Sequence, residues 1–177
     1  MKKTIKFLVP ALFILALTFA CKKEEHGQLK VLLTDAPADF TEVNVNITEV
    51  WAHYSGGWVE LNANTGFYDL LQLQNGVTDV LADPTSLPTG KINQMRLVLG
   101  GNNYAVEVID SVSVQHPLLL SSQDKTGLKI NLNSEVLANQ TMVVTLDFDA
   151  GSSIVETGNG EYKLKPVIKV ADVTYVP

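Results

Sequence analysis

The chain has 177 residues, with 13 Lys and Arg against 19 Asp and Glu, and a formal net charge of −6. It holds a single cysteine, Cys21, so no disulfide can form within it, and a single arginine, Arg96. An acidic chain this poor in arginine excludes a nucleic-acid face, which needs clustered positive charge, and a domain that itself lies on anionic lipid.

Lys2, Lys3 and Lys6 precede an apolar run from Phe7 to Phe19. A basic start, a short apolar core and a small residue before Cys21 predict a secretory signal peptide over residues 1–20. The run is too short for a spanning helix, which needs roughly 18–20 apolar residues. Leu17-Thr18-Phe19-Ala20-Cys21 resembles a lipobox, with Thr18 where the usual motif has Leu. Cys21 would then become the first residue of the exported chain and carry acyl chains that hold it to the membrane. Lys23-Glu24-Glu25 resembles the surface-export signal of Bacteroidota-type lipoproteins, so the expected location is the outer membrane, facing outward. Loss of the three signal lysines leaves a net charge of about −9. Residues 21–27 read as the lipidated cysteine and a flexible charged tether, and residues 28–177 as one domain.

From Gln28 onward the apolar period is two. Leu29, Val31 and Leu33 alternate with polar residues, as do Val43, Val45 and Ile47; the phase then slips through Val50, Trp51 and Tyr54, which predicts a bulge near Thr48-Glu49. Trp58 to Leu61 restarts a strand after the turn at Gly56-Gly57. Met95, Leu97 and Leu99 alternate with Arg96; Tyr104, Val106 and Val108 follow, then Val112 and Val114, then Leu128, Ile130 and Leu132. Met142, Val144, Leu146 and Phe148 face one way, and Tyr162, Leu164, Ile168 and Val170 oppose Lys163, Lys165 and Lys169. Glycine, proline and asparagine punctuate these runs. Many short half-buried strands predict an all-β fold, a sandwich or a barrel. Residues 67–82 fit neither period well and allow one helical turn.

Few residues offer chemistry. On a strand, Asp147 and Asp149 would share an outward face, and with Asp35 and Asp39 they could surround Ca²⁺ through oxygen ligands. A hairpin of residues 142–149 with 162–170 would instead set Lys163, Lys165 and Lys169 against the aspartates as cross-strand ion pairs, and no compact acidic loop favours the metal. His26, His53 and His116 lack metal-ligand spacing. No nucleophile elbow or phosphate loop is present, so no catalytic residue, cofactor or enzymatic activity is expected. Trp51, Tyr54 and Trp58 flank a turn. Core burial is the commoner fate of such rings; at a strand end they could stack on a sugar. Asp110-Ser111-Val112 resembles an O-glycosylation site at Ser111, although a tight turn explains the same three residues.

Leu33-Thr34-Asp35-Ala36-Pro37, Trp58-x-x-Leu61, Tyr68-Asp69-Leu70-Leu71-x-Leu73-x-Asn75-Gly76, Leu87-Pro88-x-Gly90 and Leu146-Asp147-Phe148-Asp149-Ala150 through Ser153 stand in series, closing with Tyr162-x-Leu164-Lys165-Pro166-Val167-Ile168. Together they resemble the lipoprotein domain of unknown function numbered 4382, over most of residues 28–170. The resemblance implies an exported β-rich domain similar in kind to transthyretin-like sandwiches, so the expected fold is a single antiparallel β-sandwich, transthyretin-like or immunoglobulin-like; it brings no activity and no functional residue. The expected function is therefore non-catalytic binding of a glycan or protein by loops or an open sheet face. A structural or assembly accessory of an envelope complex on the periplasmic side is the alternative, and a hydrolase without a recognisable motif comes third.

Overall fold

The computed structural model describes residues 25–36, 38–54, 57–122 and 124–177. The signal segment and Cys21 lie outside the described residues, as does part of the Gly56-Gly57 turn. The period-two runs form strands: β1 His26–Asp35, β2 Glu42–Tyr54, β3 Gly57–Glu60, β4 Gly66–Asp69, β5 Asp79–Pro88, β6 Gly90–Leu99, β7 Tyr104–Ile109, β8 Val112–Leu120, β9 Leu128–Val136, β10 Thr141–Phe148, β11 Ile154–Glu156, β12 Tyr162–Leu164 and β13 Ile168–Val176. Residues 67–82 supply a single 3₁₀ turn, Leu70–Leu73, and a helical turn, α1 Ala150–Ser153, follows β10. Among the described residues no helix is long and apolar enough to cross a membrane.

Two sheets pack into a sandwich. One has the order β13-β10-β1-β5; the other runs β11-β12-β8-β7-β2-β6-β9, with β3 and β4 also on β2. Both sheets are mixed rather than purely antiparallel, because β1 lies parallel to β10 and β12 parallel to β8. These partners are distant in sequence and joined by crossings between sheets, so no tight hairpin forces the chain to reverse. The inner faces bury Leu29, Val31, Leu33, Met142, Val144, Leu146 and Phe148 from one sheet against Val43, Val45, Ile47, Val50, Ala52, Ile92, Met95 and Leu97 from the other. At roughly 1.5–3 kcal/mol per fully buried large apolar side chain, this core dominates stability.

Two phase slips in the apolar pattern are absorbed by bulges. In β2 the buried series jumps from Ile47 to Val50, and the pairing with β6 shifts between Ile47 and Glu49. In β6 it jumps from Ile92 to Met95, and the pairing with β9 shifts between Ile92 and Gln94. Without the extra residue, every later side chain would swap faces.

The chain crosses between the sheets at its motifs. Only Thr89 separates β5 in one sheet from β6 in the other. Tyr54 fixes this corner: its hydroxyl donates to the Thr89 carbonyl at 2.8 Å, and its ring lies where a Cβ on Gly90 would be 3.0 Å away. Gly90 has φ +148, which a side chain disfavours. The return crossing runs from β10 through α1 to β11. Asp149 caps α1 by accepting from the Ser152 amide at 2.8 Å, and buried Ser153 Oγ accepts from the Val167 amide at 2.8 Å. Asp69 likewise accepts from the amides of Leu71 and Val43, both at 3.2 Å.

The domain starts earlier than the tether boundary implies. His26 and Gly27 are the first residues of β1, and Gly27 pairs with Leu87. A Cβ on Gly27 would sit 2.2 Å from the Leu137 carbonyl oxygen and 2.9 Å from that of Gln140. Its glycine is a packing requirement at the base of the sandwich, not a sign of flexibility.

Candidate ligand-binding face

Past its bulge, β2 turns Val50 and Ala52 inward, so Glu49, Trp51 and His53 point out of the sandwich. The neighbouring strands extend this outer face in two rows. Trp51 pairs with Glu60 of β3 on one side and Arg96 of β6 on the other, and Arg96 pairs with Lys129 of β9. His53 pairs with Trp58 of β3 and Gln94 of β6, and Gln94 pairs with Asn131 of β9. Four strands thus carry two indoles, an imidazole, two amides and four charged groups on one surface.

The side chains hold one another. Trp51 Nε1 donates to Glu49 Oε2 at 2.7 Å, and Gln94 Nε2 donates to Asn131 Oδ1 at 3.0 Å. Arg96 reaches across β2 so that its Cζ lies 4.0 Å from the Trp58 ring centroid, and His53 meets the same indole edge-on at 5.0 Å. A stacked guanidinium contributes about 0.5–1 kcal/mol at an exposed site. Gly127, with φ +98, admits the arginine stem: a Cβ there would lie 2.7 Å from Arg96 Cγ and Cδ.

Neither tryptophan belongs to the buried core; both are partly exposed on the outer face. Core burial, the commoner fate, is thus not theirs, because the bulge and the β2–β3 register turn both indoles outward. Tyr54 separates from them. It faces inward, packs against the core and spends its hydroxyl on Thr89, so it is a corner residue and not part of this surface. His53, Gln94, Arg96, Lys129 and Asn131 complete the face. Alternation placed Arg96 outward in the sequence, but nothing local revealed that β6 lies beside β2 or that Arg96 meets Trp58.

The aspartates do not converge. Asp149 caps α1, and Asp39 is exposed in the loop before β2. Asp147, expected outward beside Asp149, is buried; Lys169, directly opposite it on β13, approaches to 3.0 Å and has its pKa raised by that contact. Lys163 lies in β12 of the other sheet and takes no part. Asp35 is only 5 % exposed; its Oδ1 accepts from the Ala150 amide at 2.9 Å, and its Oδ2 is buried without a hydrogen bond. Burial pushes its pKa from 3.8 up to about 6, opposed by the Ala150 amide and the nearby Gln74 side chain and aided by the charge of Asp147. Among the described residues, no group of three or more His, Cys, Asp or Glu is placed to hold a metal ion.

The other candidates are scattered. His116 lies 3.4 Å from Glu107 and stacks near Tyr162 at 4.4 Å, far along the sheet from His53. Ser111 and Asp110 are the two central residues of the β7–β8 hairpin turn, with φ 67 and 50, so the tight turn is present and Ser111 is exposed at its tip. A concavity of about 420 Å³ opens beside the start of β1, between His26, Gln28, Ser86 and Gln140; its lining contains no Asp or Glu.

No curated protein and no solved structure matches the chain. A family match covers residues 26–166, which take in β1 to β12 and the whole Trp51–Arg96 face. The chain therefore belongs to the family of the domain of unknown function DUF4382.

Proposed function

We propose that this domain is a non-catalytic binding module that holds a glycan on the outer face of β3, β2, β6 and β9. The observation that carries the reading is that both tryptophans lie outside the core, on an open sheet face, interleaved with Gln94, Asn131, Glu49 and Arg96. A flat indole matches the apolar face of a pyranose, and fixed amide and charged groups match its hydroxyls. A protein ligand on the same face is the nearest variant. Under the same proposal the chain is an outer-membrane lipoprotein anchored through acyl chains on Cys21 and facing outward; the signal segment and Lys23-Glu24-Glu25 support this part.

Glycan-array binding of the full chain, compared with Trp51→Ala, tests the ligand. Retention that survives the substitution refutes the face. Protease shaving of intact cells, beside a Cys21→Ala control, tests the location. One observation favours the rival role of an assembly accessory on the periplasmic side: the β7–β8 hairpin exposes Val108, Ile109 and Val112 at 51 %, 46 % and 61 %, an apolar tip suited to a protein contact. A tag that survives shaving until the outer membrane is opened, with envelope proteins cross-linked to that hairpin, would establish the rival.

A further inference from the structure

The two cations of the outer face are unexplained by the fold. Arg96 is the only arginine of a chain with 19 acids, yet among the described residues neither it nor Lys129 makes an ion pair; the ion pairs found are Glu107 with His116 and Asp147 with Lys169. Arg96 and Lys129 stand directly opposite each other in the β6–β9 register. Like charges so placed on a sheet are destabilising, and no acid among the described residues pairs with either. Arg96 is nonetheless held in place, its stem against Gly127 and its guanidinium over Trp58. Its Nε is covered and has no hydrogen-bond partner, which leaves the two Nη groups as donors at the far end of a fixed fork. Such a fork matches a carboxylate.

Resting on the glycan-binding reading above, we infer that the ligand is an acidic glycan, whose uronate carboxylate is received by Arg96 and Lys129 while its ring stacks on Trp51. Arg96 covers a face of Trp58, so Trp58 is a positioning residue that aims the guanidinium, and Trp51 is the free stacking surface. Of the acids of the same face, Glu60 lies across Trp51 from Arg96, as its partner on β3, and Glu49, opposite Val98, is occupied by the Trp51 indole N–H. The ring and the carboxylate of one sugar unit thus have separate receptors.

The test uses the full chain in detergent, immobilised, with four soluble probes: polygalacturonate, alginate, fully methyl-esterified polygalacturonan and poly-glutamate. The expected result is binding to a uronate polymer that falls at least tenfold on esterification and falls as NaCl rises. Arg96→Gln should weaken uronate binding by about 10–100-fold, the loss of charge-assisted bonds, with a Tm within a few degrees of the parent's, since only the exposed stack on Trp58 is lost. Lys129→Gln should weaken it less, and Trp58→Ala should lower the preference for acid over ester. If acid and ester bind equally and Trp51→Ala abolishes both, the acidic preference is wrong while glycan binding stands. If no polysaccharide binds, on these probes or on a wider neutral panel, the underlying reading fails with it. Poly-glutamate bound as tightly as the uronates would make the site a general polyanion or protein contact and overturn the assignment.

Discussion

Replacing Asp35 with Asn should change stability by an amount that depends on pH. The carboxyl is 5 % exposed, and burial lifts its pKa from 3.8 to about 6. In the unfolded chain the group ionises near 3.8. Between these values the folded protein binds more protons, so this group's contribution makes stability fall as pH rises through that window. Below it there is no penalty; above it the full penalty applies, about 3 kcal/mol at 1.36 kcal/mol per tenfold change in proton affinity. Asn keeps the acceptor for the Ala150 amide but places an amide N–H₂ where Oδ2 has no partner, a pH-independent cost of about 1 kcal/mol. Asp35→Asn should therefore be roughly half a kcal/mol less stable than the parent at pH 4, where the unfolded carboxyl is already partly ionised, and about 2 kcal/mol more stable at pH 7. Urea denaturation followed by tryptophan fluorescence at both pH values measures this. Equal differences at pH 4 and pH 7 would refute the reasoning, because only a perturbed titration makes the effect depend on pH.

Four further outcomes follow from the geometry. Gly27→Ala should lose about 1–3 kcal/mol in the same denaturation assay, since the added methyl meets backbone carbonyls that cannot swing away. Ser111→Gly should gain about 1 kcal/mol and raise Tm, because residue 111 holds φ 67 in a two-residue hairpin turn; no gain would mean that the serine has a compensating contact. Trp51→Ala and Trp58→Ala should each lose less than about 2 kcal/mol, against about 3–5 for Phe148→Ala in the core, and a core-sized loss would show that the indoles support the fold. Calcium at millimolar concentration should leave Tm unchanged, since Asp35, Asp147 and Asp149 are separately engaged.

The residues that resemble the family turn out to be corners. Asp69 caps the 3₁₀ turn, Thr89-Gly90 carries the chain between sheets under Tyr54, and Asp149 with Ser153 ties the α1 crossing. Each motif is legible in sequence because a cap, a crossing or a positive φ demands particular residue types within a few positions. The proposed ligand face has no such motif, apart from Trp58. Its side chains come from β3, β2, β6 and β9, and each satisfies only the weak local rule of pointing away from the core.

Alternation alone therefore determined the all-β class, the Thr48 bulge, the outward aim of Arg96 and the inward aim of Leu29, Val31 and Leu33, because side-chain direction on a strand is a period-two property of neighbouring residues. Which strands lie side by side is set by the summed packing of the whole core and by where the chain changes sheets. That is why the parallel pairing of β1 with β10, the burial of Asp35 and Asp147, and the meeting of Arg96 with Trp58 across β2 were decided only in the tertiary structure.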